Sequence, residues 1–368
     1  MEKFNLTQLL RPDVATMQPY TPILPFEVLS EQLGYAPEEI VKLDANENPY
    51  GPSPHVRQAL AAMAYPHIYP DPESRHLRRA LADYAGVPMD YLLVGHGADE
   101  LIDLVMRLFI EPGDIVLNCP PTFGMYPFDA AVNGARVLSL PRRADFSLDV
   151  DAIFAAVADQ PRAKLLFVTS PNNPDGGLLG DDDLRRLLEL PLVVVLDEAY
   201  VEFAGLEHSR IHWVPEHNNL MVLRTFSKWA GLAGLRLGYA AFPLPVIKHL
   251  WKIKQPYNVS VAAQVAGLAS LADVDYLLGN VTRIIAGRER LMATLSQVPY
   301  LRPYPSHANF ILCRVVGRDA RALRESLAAR GILIRHYNSP GLSDHVRFSV
   351  GTPEHIQRLV AELMRVES

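Results

Sequence analysis

Four segments of this sequence end an apolar run on polar groups whose types and spacing suit chemistry on a small molecule. In VLRTFSKWAGLAGLRLGYA, Lys228 follows such a run and precedes a glycine-rich turn and Arg236. A lysine beside a pocket of low polarity loses its charge readily and can attack carbonyl carbon. Thr225 and Ser227 add hydroxyls, and Arg236 adds a planar fork that fits a phosphate. A solvated surface lysine is the plain alternative, and the arginine and two hydroxyls beside it argue against that. VVVLDEAY puts Asp197 at the end of an apolar run, with Tyr200 three residues on. A carboxylate there needs a cation or hydrogen-bond donors, although capping the next segment would satisfy it as well. FVTSPNNPDGG must turn at its Asn-Pro and Asp-Gly pairs. LLVGHGADELID reads as a strand, a glycine turn and a helix start whose free N–H groups suit a phosphate, though a lone GxG is a weak signal.

The elements that position these groups follow from the apolar pattern. DIVLNC (114–119), KLLFVTS (164–170), LVVVLDEAY (192–200), LMVLRTFSK (220–228) and LRLGYAAF (235–242) are nearly continuous in Val, Leu and Ile, which predicts strands buried on both faces. Segments with helical spacing, such as DLRRLLEL and GADELIDLVMRLF, alternate with them. Strand–helix alternation predicts an α/β fold, a mostly parallel central sheet flanked by helices. Ligands of such sheets bind outside the carboxyl ends of the strands, which makes the strand ends the places to look. The C-terminal third differs: NFILCRV, ARALRESLAARG, ILIRHY, VRFSVG and EHIQRLVAELMRV predict a smaller α+β unit. The Pro-rich N-terminal arm cannot form a core alone and is its expected partner. The expected division is 44–255 for the large domain and 1–43 with 256–368 for the small one.

Composition narrows the class. The 368 residues exceed what one core usually organises, so two units are expected. A formal net charge of -6 argues against a nucleic-acid partner. Asp181, Asp182 and Asp183 open a helical pattern, where they suit the helix dipole better than a metal. Cys119 and Cys313 lie in no CxxC pair and read as two reduced thiols. The opening MEKFNLTQLLRPD lacks the apolar stretch of a signal peptide, and no apolar run approaches the roughly 20 residues that span a bilayer. A soluble cytoplasmic protein with no membrane partner is the expectation.

Taken in order, GADE, PPTFGMY, SPNNPDG, DEAY, SK and GLRLG resemble the fold-type I pyridoxal-phosphate aminotransferases. The segments LDANENPYGPSP and YPDPESRHLRRALADYAGV, with the GADE turn, look more narrowly like the histidinol-phosphate aminotransferase family, from about Pro12 to the last helix. This resemblance implies pyridoxal 5'-phosphate as cofactor, held as a Schiff base on Lys228, whose freed amine then moves a proton. It implies that Asp197 faces the pyridine nitrogen and that Tyr200 and Asn173 reach the phenolic oxygen. The phosphate would lie against Ala98, Asp99, Thr225, Ser227 and Arg236, with Tyr69 arriving from a neighbouring subunit, so a homodimer with shared active sites is implied. Phe123 would stack on the ring where relatives often have Tyr, and Asp175 replaces a commoner Thr after Asn-Asn-Pro. Tyr20, Asn48, Arg335 and Arg347 would meet the substrates. The implied reaction takes L-histidinol phosphate and 2-oxoglutarate to imidazole acetol phosphate and L-glutamate. An aromatic amino-acid aminotransferase shares nearly all these motifs, and a threonine-phosphate decarboxylase has a similar scaffold. A regulator that only binds the cofactor would be signalled by loss of Lys228 or Asp197, and both are present. A dinucleotide-binding dehydrogenase fails, since no GxGxxG follows the first strand.

Overall fold

In the computed structural model, residues 4–19 and 23–365 are described. Seven strands form the larger sheet: β2 (Leu92–His96), β3 (Ile115–Asn118), β4 (Arg136–Ser139), β5 (Ala163–Thr169), β6 (Val193–Asp197), β7 (Leu220–Thr225) and β8 (Leu237–Ala241). They lie in the order β2-β8-β7-β6-β5-β3-β4. Neighbours from β7 to β4 run parallel, and only β8 runs against its neighbours β7 and β2.

The unbroken apolar runs have a direct cause. Val194, Leu196 and Val222 point into one core, while Val195, Met221 and Leu223 point into a second core on the opposite face. Each fully buried side chain of this size contributes about 1.5–3 kcal/mol, so both faces of a central strand select against polar residues. Polar groups are therefore pushed to the strand ends. There the parallel register sets Thr169 beside Asp197 and Asp197 beside Leu223, two residues short of Thr225.

The smaller sheet has the order β1-β11-β12-β10-β9. Its strands are β1 (Val41–Leu43), β9 (Leu301–Pro303), β10 (Phe310–Val315), β11 (Ile332–His336) and β12 (His345–Ser349). Pairing of Val41 with Ile332 draws the N-terminal arm into the C-terminal unit. Three strands carry too little pattern to predict: β1 and β9 are three residues each, and the edge strand β4 buries none of its four residues fully.

Helix Val274–Leu295 threads both units. Leu277, Val281 and Ile284 enter the large core, and Leu291 and Leu295 enter the small one. The preceding helix Val261–Leu271 also gives Ala263 and Ala266 to the large core. The change of core thus falls inside the long helix, later than the division at residue 255, because residues 261–284 supply apolar side chains to the larger unit. Among the described residues no single helix is long and apolar enough to cross a membrane.

Candidate active site

At the carboxyl rim of the large sheet lies a cleft of about 140 Å³. Its phosphate-like end is built from backbone. Gly97 opens helix Gly97–Phe109 at φ +77°, and a Cβ there would sit 2.6 Å from an Arg236 nitrogen. A Cβ on Gly238 would sit 2.6 Å from the Ala98 nitrogen. Only glycine permits this close approach of turn, strand and guanidinium. The first N–H groups of a helix have no partner within it, and the helix dipole adds positive potential. Ala98 and Asp99 line the cleft here, with Thr225, Ser227 and Arg236 opposite. The Thr225 hydroxyl donates to Ser227 Oγ (2.9 Å) and accepts the Ser227 N–H (3.0 Å), which fixes the tight turn before Lys228. Arg236, itself at φ +51°, donates from Nη2 to Asp99 Oδ2 at 2.7 Å. Two hydroxyls, a guanidinium and a helix start converge on a space that suits a phosphate dianion.

The reactive end holds Lys228 and Asp197. Lys228 donates from Nζ to the Ala45 carbonyl (3.1 Å). Burial and the Arg347 guanidinium bring its ammonium down to about 8, so the neutral amine is accessible. Asp197 accepts the Ala199 N–H (2.9 Å) on one oxygen and the Tyr126 hydroxyl (2.7 Å) on the other. Burial raises its carboxyl to about 6, against the pull of those two hydrogen bonds. No ion pair joins Asp197 to a Lys, Arg or His among the described residues. A buried carboxylate lacking a cation fits a protonated ring nitrogen, and the donor set at the opposite end fits that ring's phosphate. Tyr200 accepts from Asn46 Nδ2 (3.0 Å), which leaves the phenol proton for a ligand oxygen. Burial pushes that phenol up to about 12, so it stays a donor. Asn173 accepts Arg347 Nη1 on its oxygen (2.5 Å), and it lines the cleft with Tyr200. Phe123 forms one wall.

A wider cavity of about 1170 Å³ opens from this cleft and shares Phe123, Asn173, Tyr200 and Lys228 with it. Arg335 and Arg347 lie directly across from each other on β11 and β12 and line this cavity together. Arg347 donates from Nη2 to the Asp44 carbonyl (2.7 Å), while its buried Nε has no hydrogen-bond partner among the described residues.

One expected contact is placed otherwise. Asn48 does not face the cavity: its amide donates to the Trp229 carbonyl (2.9 Å) and its oxygen accepts the Tyr50 N–H (3.0 Å). It braces the loop beside Lys228, and Asn46, two residues earlier in the same DANEN segment, takes the cavity position. Asn46 sits at φ +55°, which a short polar side chain tolerates, and this conformation turns its amide toward Tyr200. Tyr69 is 78% exposed and stacks on Tyr257 at 4.4 Å, away from the cleft of its own chain. Tyr20 lies outside the described residues. Asp175 is buried, accepting from the Asn172 amide and from the Gly177 N–H (2.8 Å). Thr169, which lines the cleft, and Tyr126, which contacts Asp197, were not singled out in the sequence. Thr169 ends a predicted strand, so its position at the rim was available as a signal. Tyr126 sits inside the PPTFGMY motif but on the side hidden from the cleft.

A lysine of lowered pKa, a carboxylate awaiting a cation and a phosphate cradle on one sheet rim define a pyridoxal-phosphate type of transferase site. Residues 38–363 match the family described as aminotransferase class I and II. A histidinol-phosphate aminotransferase from Nicotiana tabacum, described as chloroplastic, is 58% identical, with 95% of this chain and 85% of the relative covered. One from Roseiflexus castenholzii is 54% identical over 98% of this chain and 99% of the relative. The crystal structure of the Sinorhizobium meliloti enzyme, in complex with pyridoxal-5'-phosphate, superposes with a TM-score of 0.89 at 29% identity over 98% of both chains. The chain belongs to the class I and II aminotransferases, and within them to the histidinol-phosphate aminotransferase family.

Proposed function

We propose that the protein moves the amino group of L-histidinol phosphate to 2-oxoglutarate, using pyridoxal 5'-phosphate held by Lys228. The observation that carries this is the shared cavity, in which the Lys228 amine and the guanidinium pair of Arg335 and Arg347 face one space. The bound cofactor supplies an electron sink that makes the substrate's α-proton removable. Everything else is the work of the chain. Arg335 and Arg347 bind the anionic end of either substrate, a phosphate in one half-reaction and a carboxylate in the other. Lys228, with its ammonium near 8, is placed to take a proton from the α-carbon of the donor on its Nζ and to give it up again. Asp197 keeps a facing nitrogen protonated, Tyr200 and Asn173 hold a ligand oxygen, and Phe123 shields the ring face from water. Exposed Tyr69 suits a phosphate contact in a second subunit, so the working unit is a homodimer.

The deciding experiment measures glutamate formation from 2-oxoglutarate with histidinol phosphate, phenylalanine and tyrosine as donors. Histidinol phosphate should give the highest kcat/KM. Preference for either aromatic donor overturns the substrate assignment, and release of carbon dioxide from threonine phosphate would replace the reaction itself.

A further inference from the structure

We propose that Tyr126 is a positioning residue for Asp197, and that Thr169, Thr122 and Asn172 form the hydrogen-bonded chain that keeps its phenol aimed. The inference rests on the reading of Asp197 as the carboxylate facing the cofactor's ring nitrogen.

Tyr126 lies on helix Met125–Val132 and is fully buried. Its ring stacks on Phe167 at 4.8 Å and meets the Phe123 ring edge-on at 5.6 Å. Two aromatic contacts thus fix the plane, and the phenol can only point toward the rim. There it lies 2.7 Å from Asp197 Oδ2 and 2.8 Å from Thr169 Oγ1. Thr169 Oγ1 lies 3.3 Å from Thr122 Oγ1, which in turn lies 2.9 Å from Asn172 Oδ1. The Asn172 amide is anchored at the far end by the Pro121 carbonyl (3.1 Å) and by Asp175. The series runs without a gap from the buried Asp175 to Asp197.

Counting protons shows what this chain can do. When Asp197 is ionised, Tyr126 donates to it and Thr169 donates to Tyr126. Thr122 is then left with one proton for two acceptors. When Asp197 is protonated, every donor can reverse: Asp197 to Tyr126, Tyr126 to Thr169, Thr169 to Thr122, Thr122 to Asn172. The chain therefore satisfies both charge states without moving a heavy atom. Its hydroxyls tolerate either direction, as a fixed amide donor would not. Burial holds the phenol proton in place at any working pH, since it raises the Tyr126 pKa well above the usual range. Without the phenol, the carboxylate would keep one donor among the described residues, the Ala199 N–H.

The test is a double-mutant cycle between Tyr126→Phe and Asp197→Asn, read by titrating the apoenzyme with pyridoxal phosphate and by kcat and KM separately. Tyr126→Phe keeps the stacked ring and loses only the hydroxyl. Loss of a hydrogen bond to a charged group should weaken cofactor binding and lower kcat each by about tenfold, with KM little changed. Thr169→Val, which preserves volume, should show a smaller loss in the same direction. In the Asp197→Asn background, Tyr126→Phe should add almost nothing. An equal loss in both backgrounds would make Tyr126 structural and overturn the proposal, as would unchanged affinity and kcat in Tyr126→Phe alone. If Asp197→Asn by itself left cofactor affinity and kcat intact, the underlying reading of Asp197 would fail instead.

Discussion

Replacing Asp197 by Asn should make the apoprotein more stable while it cripples the enzyme, and the two effects have one cause. Burial lifts the Asp197 carboxyl from 3.8 in the unfolded chain to about 6 in the fold. Between those values the folded chain binds more protons than the unfolded chain, so stability falls as pH rises through that window. Well above pH 6 the full cost of burying the unpaired charge is present, about 3 kcal/mol at 1.36 kcal/mol per unit of pKa. Asparagine removes the charge yet keeps an oxygen for the Ala199 N–H. Its amide can donate to the Tyr126 oxygen, whose proton then turns to Thr169. Denaturant unfolding of cofactor-free protein at about pH 8 should show the variant more stable by about 3 kcal/mol, with the gain vanishing near pH 4. Turnover of the loaded enzyme should drop well over tenfold, because the ring nitrogen loses its anion. A gain that does not depend on pH, or an apoprotein destabilised at pH 8, would refute the assignment of an uncompensated buried charge at Asp197.

Arg335→Ala should lower kcat/KM for histidinol phosphate by about tenfold to a hundredfold, and much less for phenylalanine, which has no phosphate. Equal losses for both donors would make Arg335 structural. Mixing the inactive variants Tyr69→Ala and Lys228→Ala under subunit exchange should restore activity, because one site of the heterodimer keeps both residues. An active monomer by light scattering contradicts that shared arrangement.

The large sheet was legible because its central strands are buried on both faces, and that requirement leaves unbroken Val and Leu runs. The rim groups were legible for the same reason: Asp197, Thr225, Ser227 and Lys228 interrupt apolar runs where the strands stop. The ordered motifs assigned their partners through resemblance, not through periodicity. What escaped was whatever depends on backbone direction. Asn46 and Asn48 are identical residues two positions apart, and nothing in DANENPYG tells which one turns inward. The left-handed conformation of Asn46 decides it. Tyr126 was hidden because its contact with Asp197 runs through the protein interior, 71 residues away in sequence. The change of core within helix Val274–Leu295 escaped because one amphipathic stripe can serve two cores in succession without altering its spacing.

Strand β12 is one of the places where the two units meet at the site, and that has a mechanical consequence. Arg347 and Ser349 project from the same face of β12, two residues apart. Arg347 donates to Asn173 of the large unit, and Ser349 bonds to Asn46 through both its hydroxyl and the Asn46 N–H (3.0 and 2.9 Å). Asn46 passes that placement on to Tyr200. Asn173 and Tyr200, which line the same cleft, are thus both registered by β12, which also carries Arg347. A misplacement of about 1 Å can cost on the order of a hundredfold in rate. Helix Val274–Leu295, anchored in both cores, is the rigid link that limits such slippage. Its Gly287 lets the chain pass so close that a Cβ would lie 3.1 Å from Val350, the residue after β12. Arg347, Asn173 and Tyr200 are therefore all placed by one strand, and a shift of β12 that moves Arg347 also disturbs the hydrogen bonds that place Asn173 and Tyr200.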